Sequence, residues 1–437
     1  MKKKSGSDDG EERMRRARMI KKSFIIVLLC LVPAVSFAVT REEAVRYALE
    51  NSEAIRMVME TSQSLRADGD QATAFTKPRL TLSAGYLEMG DNKPESPFFA
   101  SPGRNIVAEA RISQLIFAGG RIWKSRDLRD NLHKQADILE TSGKRDIAKQ
   151  VRAAFDAVLY QQAALNILKD RVKQRRAELE DAQDLKEAGA VTSLDVRQAK
   201  LNLNFARDQL EEGEAAYQES LISFNLAIGR SGGEELLIPK GNLEKVPDLN
   251  AILNQLRESL STDDLLDIKF VETQLDAAWL NYDIAGGEGL PEVVLAGTGK
   301  SDGERSDDMN EGWTIGFQAS WNIFDGGLAR AKKASAWANM KKTEESLSQT
   351  KKLLAGEIET VGVNIESLKQ RISLQQEAVE LSRENYEDAR GHYRAGMITL
   401  TRFGEFNLSY AEARFNLLRI FFLRREQLTR AEALLEE

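Results

Sequence analysis

The feature that most constrains this chain is that it is written twice. Phe117-Ala118-Gly119-Gly120 recurs as Phe324-Asp325-Gly326-Gly327, 207 residues further on. The same offset carries Ala188-Gly189 onto Ala395-Gly396, Thr192 onto Thr399, Leu201 onto Leu408 and Leu210 onto Leu417. One constant spacing over so many anchors makes each copy a structural unit, so the fold must be built from two similar halves. Pro239 and Pro247, with Gly232 and Gly233, mark the join. The expected organisation is a removable leader over 1–38, a first repeat over 39–229, a linker over 230–247 and a second repeat over 248–437.

Within each copy lies a very long helix. Residues 121–187 and 328–394 are 67 residues each without a proline, and a helix of that length reaches roughly 100 Å. Ile147, Val151, Ala154, Val158, Leu165, Leu168 and Val172 follow a 4-3 spacing, matched 207 residues later by Leu354, Ile358, Val361, Ile365, Ile372, Gln375 and Val379. A sustained 4-3 seam is coiled-coil packing. Gly189 and Gly396 supply the left-handed residue that ends a helix. The segments 193–228 and 400–436 then return as antiparallel helices, because the connections are so short. Each outgoing helix is longer than its return. The helical stretches at about 41–75 and 248–284 are expected to cover the remainder.

Ahead of each Gly-Gly stop sit two segments of period-2 alternation. Leu80, Leu82, Ala84 and Tyr86 alternate with polar residues, as do Ile106, Ala108, Ala110 and Ile112. In the second copy Val293, Leu295 and Gly297 start one strand, and Trp313, Ile315, Phe317, Ala319, Trp321 and Ile323 form the apolar face of the next. About ten residues with apolar-out, polar-in alternation is the pattern of a membrane-spanning barrel strand. On that reading Thr81, Ser83, Glu109, Arg111, Thr314, Gln318 and Ser320 face the lumen. Trp313 and Trp321 mark the two interfaces, and Glu88–Arg104 and Lys300–Glu311 are long polar loops on one side. Four strands cannot close a barrel in lipid, where an open edge leaves backbone groups unpaired. Spanning strands therefore require several chains, and three would supply twelve strands. The alternative is a small soluble sheet packed on the helices.

The N-terminus reads as a secretory leader: Lys21 and Lys22, the apolar run Phe24 to Val32, then Ser36-Phe37-Ala38. The acidic residues ahead of it are unusual for a leader and leave Met1, Met14 and Met19 as alternative translation starts. Cys30, the one cysteine, leaves with the leader; Leu29 before it is not the small residue that lipid modification needs. A net charge of −7 argues against nucleic acid as a partner. No catalytic, cofactor or metal site is expected, because His133 and His392 stand alone in predicted helices. The segment Ala296-Gly297-Thr298-Gly299-Lys300-Ser301 imitates a phosphate-binding loop. It has Val294 where that loop needs glycine, and no helix pattern follows it.

In the order of these parts the chain resembles the TolC-type outer-membrane efflux protein family, the outer membrane factors, over roughly 40–436. The carriers are Phe117–Gly120 and Phe324–Gly327, the turns Ala188–Val196 and Ala395–Thr399, and an opening helix with the capping box Thr40-x-x-Glu43. The resemblance implies a mixed α and β fold of long helical hairpins with four strands per protomer. It further implies a homotrimer sharing a 12-stranded barrel in the outer membrane of a Gram-negative bacterium, with a helical tunnel through the periplasm. Such a protein is not an enzyme. It is the passive exit duct of a tripartite efflux or type I secretion system, meeting a periplasmic adaptor (membrane fusion) protein and, through it, an inner-membrane transporter. Gly189, Val191, Thr192, Leu194, Gly396, Ile398 and Thr399 match the adaptor-contacting tips. Arg402 and Glu405 stand at the periplasmic entrance where many relatives carry two aspartates. The alternative without the resemblance is a periplasmic structural or adaptor coiled coil with no pore.

Overall fold

A computed structural model describes residues 38–88, 104–230 and 235–436. Nearly all of the expected leader, and the loop between Glu88 and Arg104, lie outside the described residues. The first copy runs β1 (Ala38–Val39), α1 (Arg41–Asn51), α2 (Glu53–Ala74), β2 (Arg79–Glu88), β3 (Arg104–Ala118), α3 (Arg121–Glu187) and α4 (Ser193–Ala227). The linker holds β4 (Ile238–Pro239), and the second copy runs α5 (Leu249–Ser261), α6 (Leu266–Gly287), β5 (Glu292–Arg305), β6 (Asp308–Ser320), α7 (Leu328–Arg394) and α8 (Leu400–Leu435).

Both long helices occupy the predicted 67 residues. Each starts after a glycine pair in the left-handed region, Gly119-Gly120 and Gly326-Gly327. Each ends in the same hydrogen-bonded cap. Gly189 N–H reaches Lys186 O and Ala190 N–H reaches Leu185 O; Gly396 and Met397 repeat this on Tyr393 and His392. The 4-3 seam is cleanest on α7, where Leu354, Ile358, Val361, Ile365, Leu368 and Ile372 are all buried.

The helices lie side by side in one layer. At the hairpin end the order is α4, α3, α8, α7; at the sheet end it is α2, α3, α6, α7. The shorter helices thus cover the upper stripe, α2 on α3 and α6 between α3 and α7. Each expected stretch is, however, two helices. Ser52, in extended conformation, ends α1 and caps α2, and Gly229, at φ 84°, packs so close that a Cβ there would come 2.5 Å from Ser52 Cα. In the second copy the break at 262–265 carries Asp263 at φ 56°.

A four-stranded antiparallel sheet has the order β2-β3-β5-β6. Each strand joins the helix at the same place in the layer: β2 to α2, β3 to α3, β5 to α6 and β6 to α7. Sheet and helix layer therefore form one continuous two-storey ribbon. Two expectations fail in β5 and β6. Lys300–Glu311 is not a long loop, since pairing runs to Arg305 opposite Asp308; beyond the apolar band both strand faces are polar, which erases the alternation signal. Strand β6 stops at Ser320, so Trp321 and Ile323 lie beyond it. The Trp321 indole there donates to Gly289 O at 3.1 Å.

A belt surrounds the middle of the ribbon. The short parallel pair β1–β4 joins Ala38–Val39 to Ile238–Pro239. Phe155, Phe224, Ile228 and Leu243 fill the core beneath it. The linker is held by Arg424 and Arg425, whose guanidiniums donate to the carbonyls of Glu244 and Lys245.

Candidate functional site

The ribbon offers two candidate working regions, the sheet and the hairpin tips. Directly paired residues of an antiparallel sheet share a face, and the register gathers all seven polar strand residues on one. Thr81, Arg111, Thr298 and Thr314 form one cross-strand row, and Ser83, Glu109, Lys300 and Gly312 the next. Gln318 and Ser320 pair with Val294 and Glu292 on the same face. Arg111 Nε lies 3.4 Å from Thr298 Oγ1 and 3.6 Å from Glu109 Oε1. Sequence alternation did not assign Thr298 and Lys300, whose strand partners complete these rows.

The opposite face carries Leu80, Leu82, Tyr86, Ile112, Trp313, Ile315 and Phe317, and every one of these is exposed in the single chain. Trp313 is 79% and Phe317 74% exposed. Among the described residues nothing packs on this face. The outer edges of β2 and β6 have no strand beside them among the described residues.

At the other end the two turns lie together. Thr192 caps α4 in a complete capping box, its hydroxyl accepting from Asp195 N–H while the Asp195 carboxylate accepts from Thr192 N–H at 2.8 Å. The Thr192 hydroxyl also donates to that carboxylate at 2.7 Å, and this bond first, then the Thr192 N–H, holds the Asp195 carboxyl below the usual carboxylate range. Thr399 caps α8 through Arg402 N–H. Arg402 cannot return the bond; it pairs instead with Glu405 at 2.6 Å and lies over the Phe406 ring. Gly189, Thr192, Leu194, Gly396 and Thr399 are exposed around the tip, with Val191 and Ile398 half-buried.

Sequence reading missed the groups that bind within and between the hairpins. Phe403 stacks between Tyr386 and Tyr393, with ring centroids 5.7 and 5.4 Å away. Asp181 of α3 accepts from Arg390 of α7 at 2.9 Å and lies 3.3 Å from Arg394. Glu178, fully buried, pairs with Arg175 and accepts from Asn202. Burial pushes the Tyr393 phenol up to about 12, with Asp195, Glu178 and Asp181 adding to the effect. The signal was present in part: Tyr386 and Tyr393, like Phe403 and Tyr410, are a heptad apart. The Asp181 pairing joins distant segments and leaves no local pattern.

Among the described residues no helix is long and apolar enough to cross a membrane. The sequence profile named outer membrane efflux protein matches residues 44–230 and 264–436. No curated protein matches the chain in sequence. Among solved structures, the outer membrane protein VceC from Vibrio cholerae aligns with a TM-score of 0.77 at 17% identity, covering 91% of this chain and 97% of that one. The CmeC outer membrane channel of Campylobacter jejuni aligns at 0.76 and 16% identity, covering 90% and 85%. The open-state MtrE outer membrane channel of Neisseria gonorrhoeae aligns at 0.72 and 16%, covering 90% and 88%. At these identities the structural likeness concerns the fold.

Proposed function

The chain belongs to the outer membrane efflux protein family, and from that premise we propose that it is one protomer of a trimeric exit duct. It is an outer-membrane channel protein with a large helical periplasmic part. In the proposed trimer, three four-stranded sheets close into a shared barrel, and three helix layers close into the tunnel below.

The observation that carries this reading is that both storeys of the ribbon end at open edges on the same two sides. One side is β2 with α2 and α4; the other is β6 with α7. Each helical edge bears an exposed apolar stripe: Leu201, Phe205, Ile222 and Leu226 on α4, and Leu353, Leu374 and Leu381 on α7. Pairing β6 of one copy with β2 of the next satisfies the strand edges that lipid would leave unpaired. The same step buries the α7 stripe on its neighbour.

In the closed ring the face carrying Thr81, Ser83, Glu109, Arg111, Thr314, Gln318 and Ser320 lines the lumen, and the face carrying Trp313 and Phe317 meets lipid. The duct conducts passively, the energy coming from an inner-membrane transporter reached through a periplasmic adaptor. The adaptor docks on the tips at Gly189, Val191, Thr192, Leu194, Gly396, Ile398 and Thr399. Arg402 and Glu405 sit at the entrance and set its field.

Planar-bilayer conductance of the detergent-purified protein, with oligomer mass measured on the same sample, tests this. Long-lived single channels from a trimer are expected. A soluble monomer or dimer without conductance would overturn the reading in favour of a periplasmic coiled coil.

A further inference from the structure

Below the apolar face of the sheet lies a basic and aromatic surface that the duct itself does not explain. Arg121 and Trp123 are two residues apart on α3 and so point about 200° apart. Arg121 pairs with Glu292, which shares the polar face with Ser320; Trp123, 67% exposed, therefore emerges on the apolar side. The apolar row itself runs on through Phe117, Val293 and Ala319 to the Trp321 indole at Gly289. Leu290, the next residue, lines one cleft with Trp123, Tyr282 and Lys333. Trp279 and Trp337 extend the aromatic cluster from Tyr282.

The charge on this surface is unbalanced. Lys124 and Lys332 are matched by Asp283 and Glu288. Arg126 lies over the Trp123 ring at 4.9 Å and Lys333 over Tyr282 at 5.2 Å, and neither has a carboxylate partner among the described residues. Residues 328–342 hold five cations and no carboxylate. Trp123 lies about 5 Å, and Lys333 about 9 Å, along its helix from the glycine pair, close to the roughly 5–8 Å depth of a headgroup layer. Lysine and arginine stems reach further along such an interface.

We infer that this surface docks on anionic phospholipid headgroups of the leaflet facing the helical tunnel. Trp123 and Tyr282 sit among the headgroups, and Arg126 and Lys333 hold the phosphates. The inference rests on the sheet spanning the membrane, and two reasons favour lipid as occupant. The surface continues the apolar face without a break, and the two cations that lie over its rings, Arg126 and Lys333, have no carboxylate partner among the described residues.

The test uses the detergent-purified oligomer, titrated with phosphatidylglycerol or phosphatidylcholine of equal chain length, with bound lipids counted by native mass spectrometry. Phosphatidylglycerol is expected to be retained more strongly by about fivefold for each engaged cation. The double variant Arg126→Glu/Lys333→Glu loses that preference, Arg126→Lys/Lys333→Arg keeps it, and all three proteins retain conductance. A conducting trimer with no headgroup preference, or a preference unchanged in the double variant, overturns the inference and leaves the duct standing. Dextran sulfate binding as tightly as phosphatidylglycerol would make the occupant a soluble polyanion and overturn it too. A soluble protein without conductance overturns both readings.

Discussion

Asp195 and Arg402 occupy the same position in the two copies of the hairpin, yet Asp195 bonds back to Thr192 while Arg402 turns away to Glu405. The duplicated turn has thus kept its backbone and exchanged its charge. Replacing Arg402 with aspartate restores a capping carboxylate to Thr399 and changes the entrance by two charge units per protomer. In the Arg402→Asp channel the reversal potential in a salt gradient is expected to move toward cations. Identical ion preference in parent and variant would remove Arg402 from any role in selection.

Asp195 gives the first turn a capping carboxylate that the second lacks, and with it a pH dependence of the cap. Its folded carboxyl is held below the usual range by Thr192, so the folded tip binds the proton less well than the unfolded one. The stabilisation is complete above the ordinary aspartate range near 3.9 and is lost as pH falls through the lowered value. Below about pH 4 the amides of the first turn should lose protection against hydrogen exchange, after correction for intrinsic rates, before those of the second. Asp195→Asn should abolish that difference.

The sequence carried most of this architecture because its signals are long or repeated. The 4-3 seam from Leu354 to Ile372 and the glycines at 189 and 396 act locally, and duplication reads each of them twice. What it did not carry depends on contacts between distant segments. The break at Ser52 packs against Gly229, and the extension of β5 to Arg305 answers to its partner strand rather than to its own alternation. Of the candidate site, the face of the seven polar strand residues was legible through period 2. The Asp181–Arg390 bond and the complete rows through Thr298 and Lys300 were not, since they need the register.

The α7 edge makes a separate prediction. Leu374 and Leu381 are 67% and 53% exposed in the single chain and lie on one stripe, a heptad apart. If that stripe is buried by a neighbouring copy, Leu374→Glu/Leu381→Glu places two charges in an apolar interface. The trimer should then dissociate at lower detergent or heat, read as a shift in oligomer mass, with helical content of the remaining protomer unchanged. An unaltered trimer would mean that α7 faces solvent.

Asp156 is the centre of the belt. It is 2% exposed, with Arg425 Nε at 3.1 Å and Arg41 Nε at 3.7 Å. Burial pushes its carboxyl up, and the two guanidiniums pull it back. Asp156→Ala removes the carboxylate partner of Arg425, while Arg41 keeps Glu432 at 2.8 Å, and should cost about 3–5 kcal/mol, measured by denaturant unfolding followed at 222 nm. Asp156→Asn, which keeps an acceptor for Arg425, should cost less. Equal losses would mean that shape, rather than charge, holds the belt.

Gly119 and Gly120 join sheet to tunnel, and both sit in the left-handed region, at φ 58° and 85°. Alanine at either carries a backbone cost of about 1–2 kcal/mol. The two differ in what surrounds them. A Cβ at Gly119 would come 2.6 Å from Gly287 O and 2.7 Å from Leu290 Cβ, whereas a Cβ at Gly120 meets open space. Gly287 returns the constraint, since a Cβ there would come 2.7 Å from Gly119 O. Neither carbonyl can rotate away like a flexible side chain, so overpacking at Gly119 should add about 1–3 kcal/mol. Gly119→Ala should therefore lower the yield of folded, conducting trimer far more than Gly120→Ala. Gly120→Asn should restore much of the remainder, because asparagine tolerates the left-handed region. If the two alanine variants lose trimer equally, the junction is governed by backbone conformation alone and the close approach of α6 has no part in it.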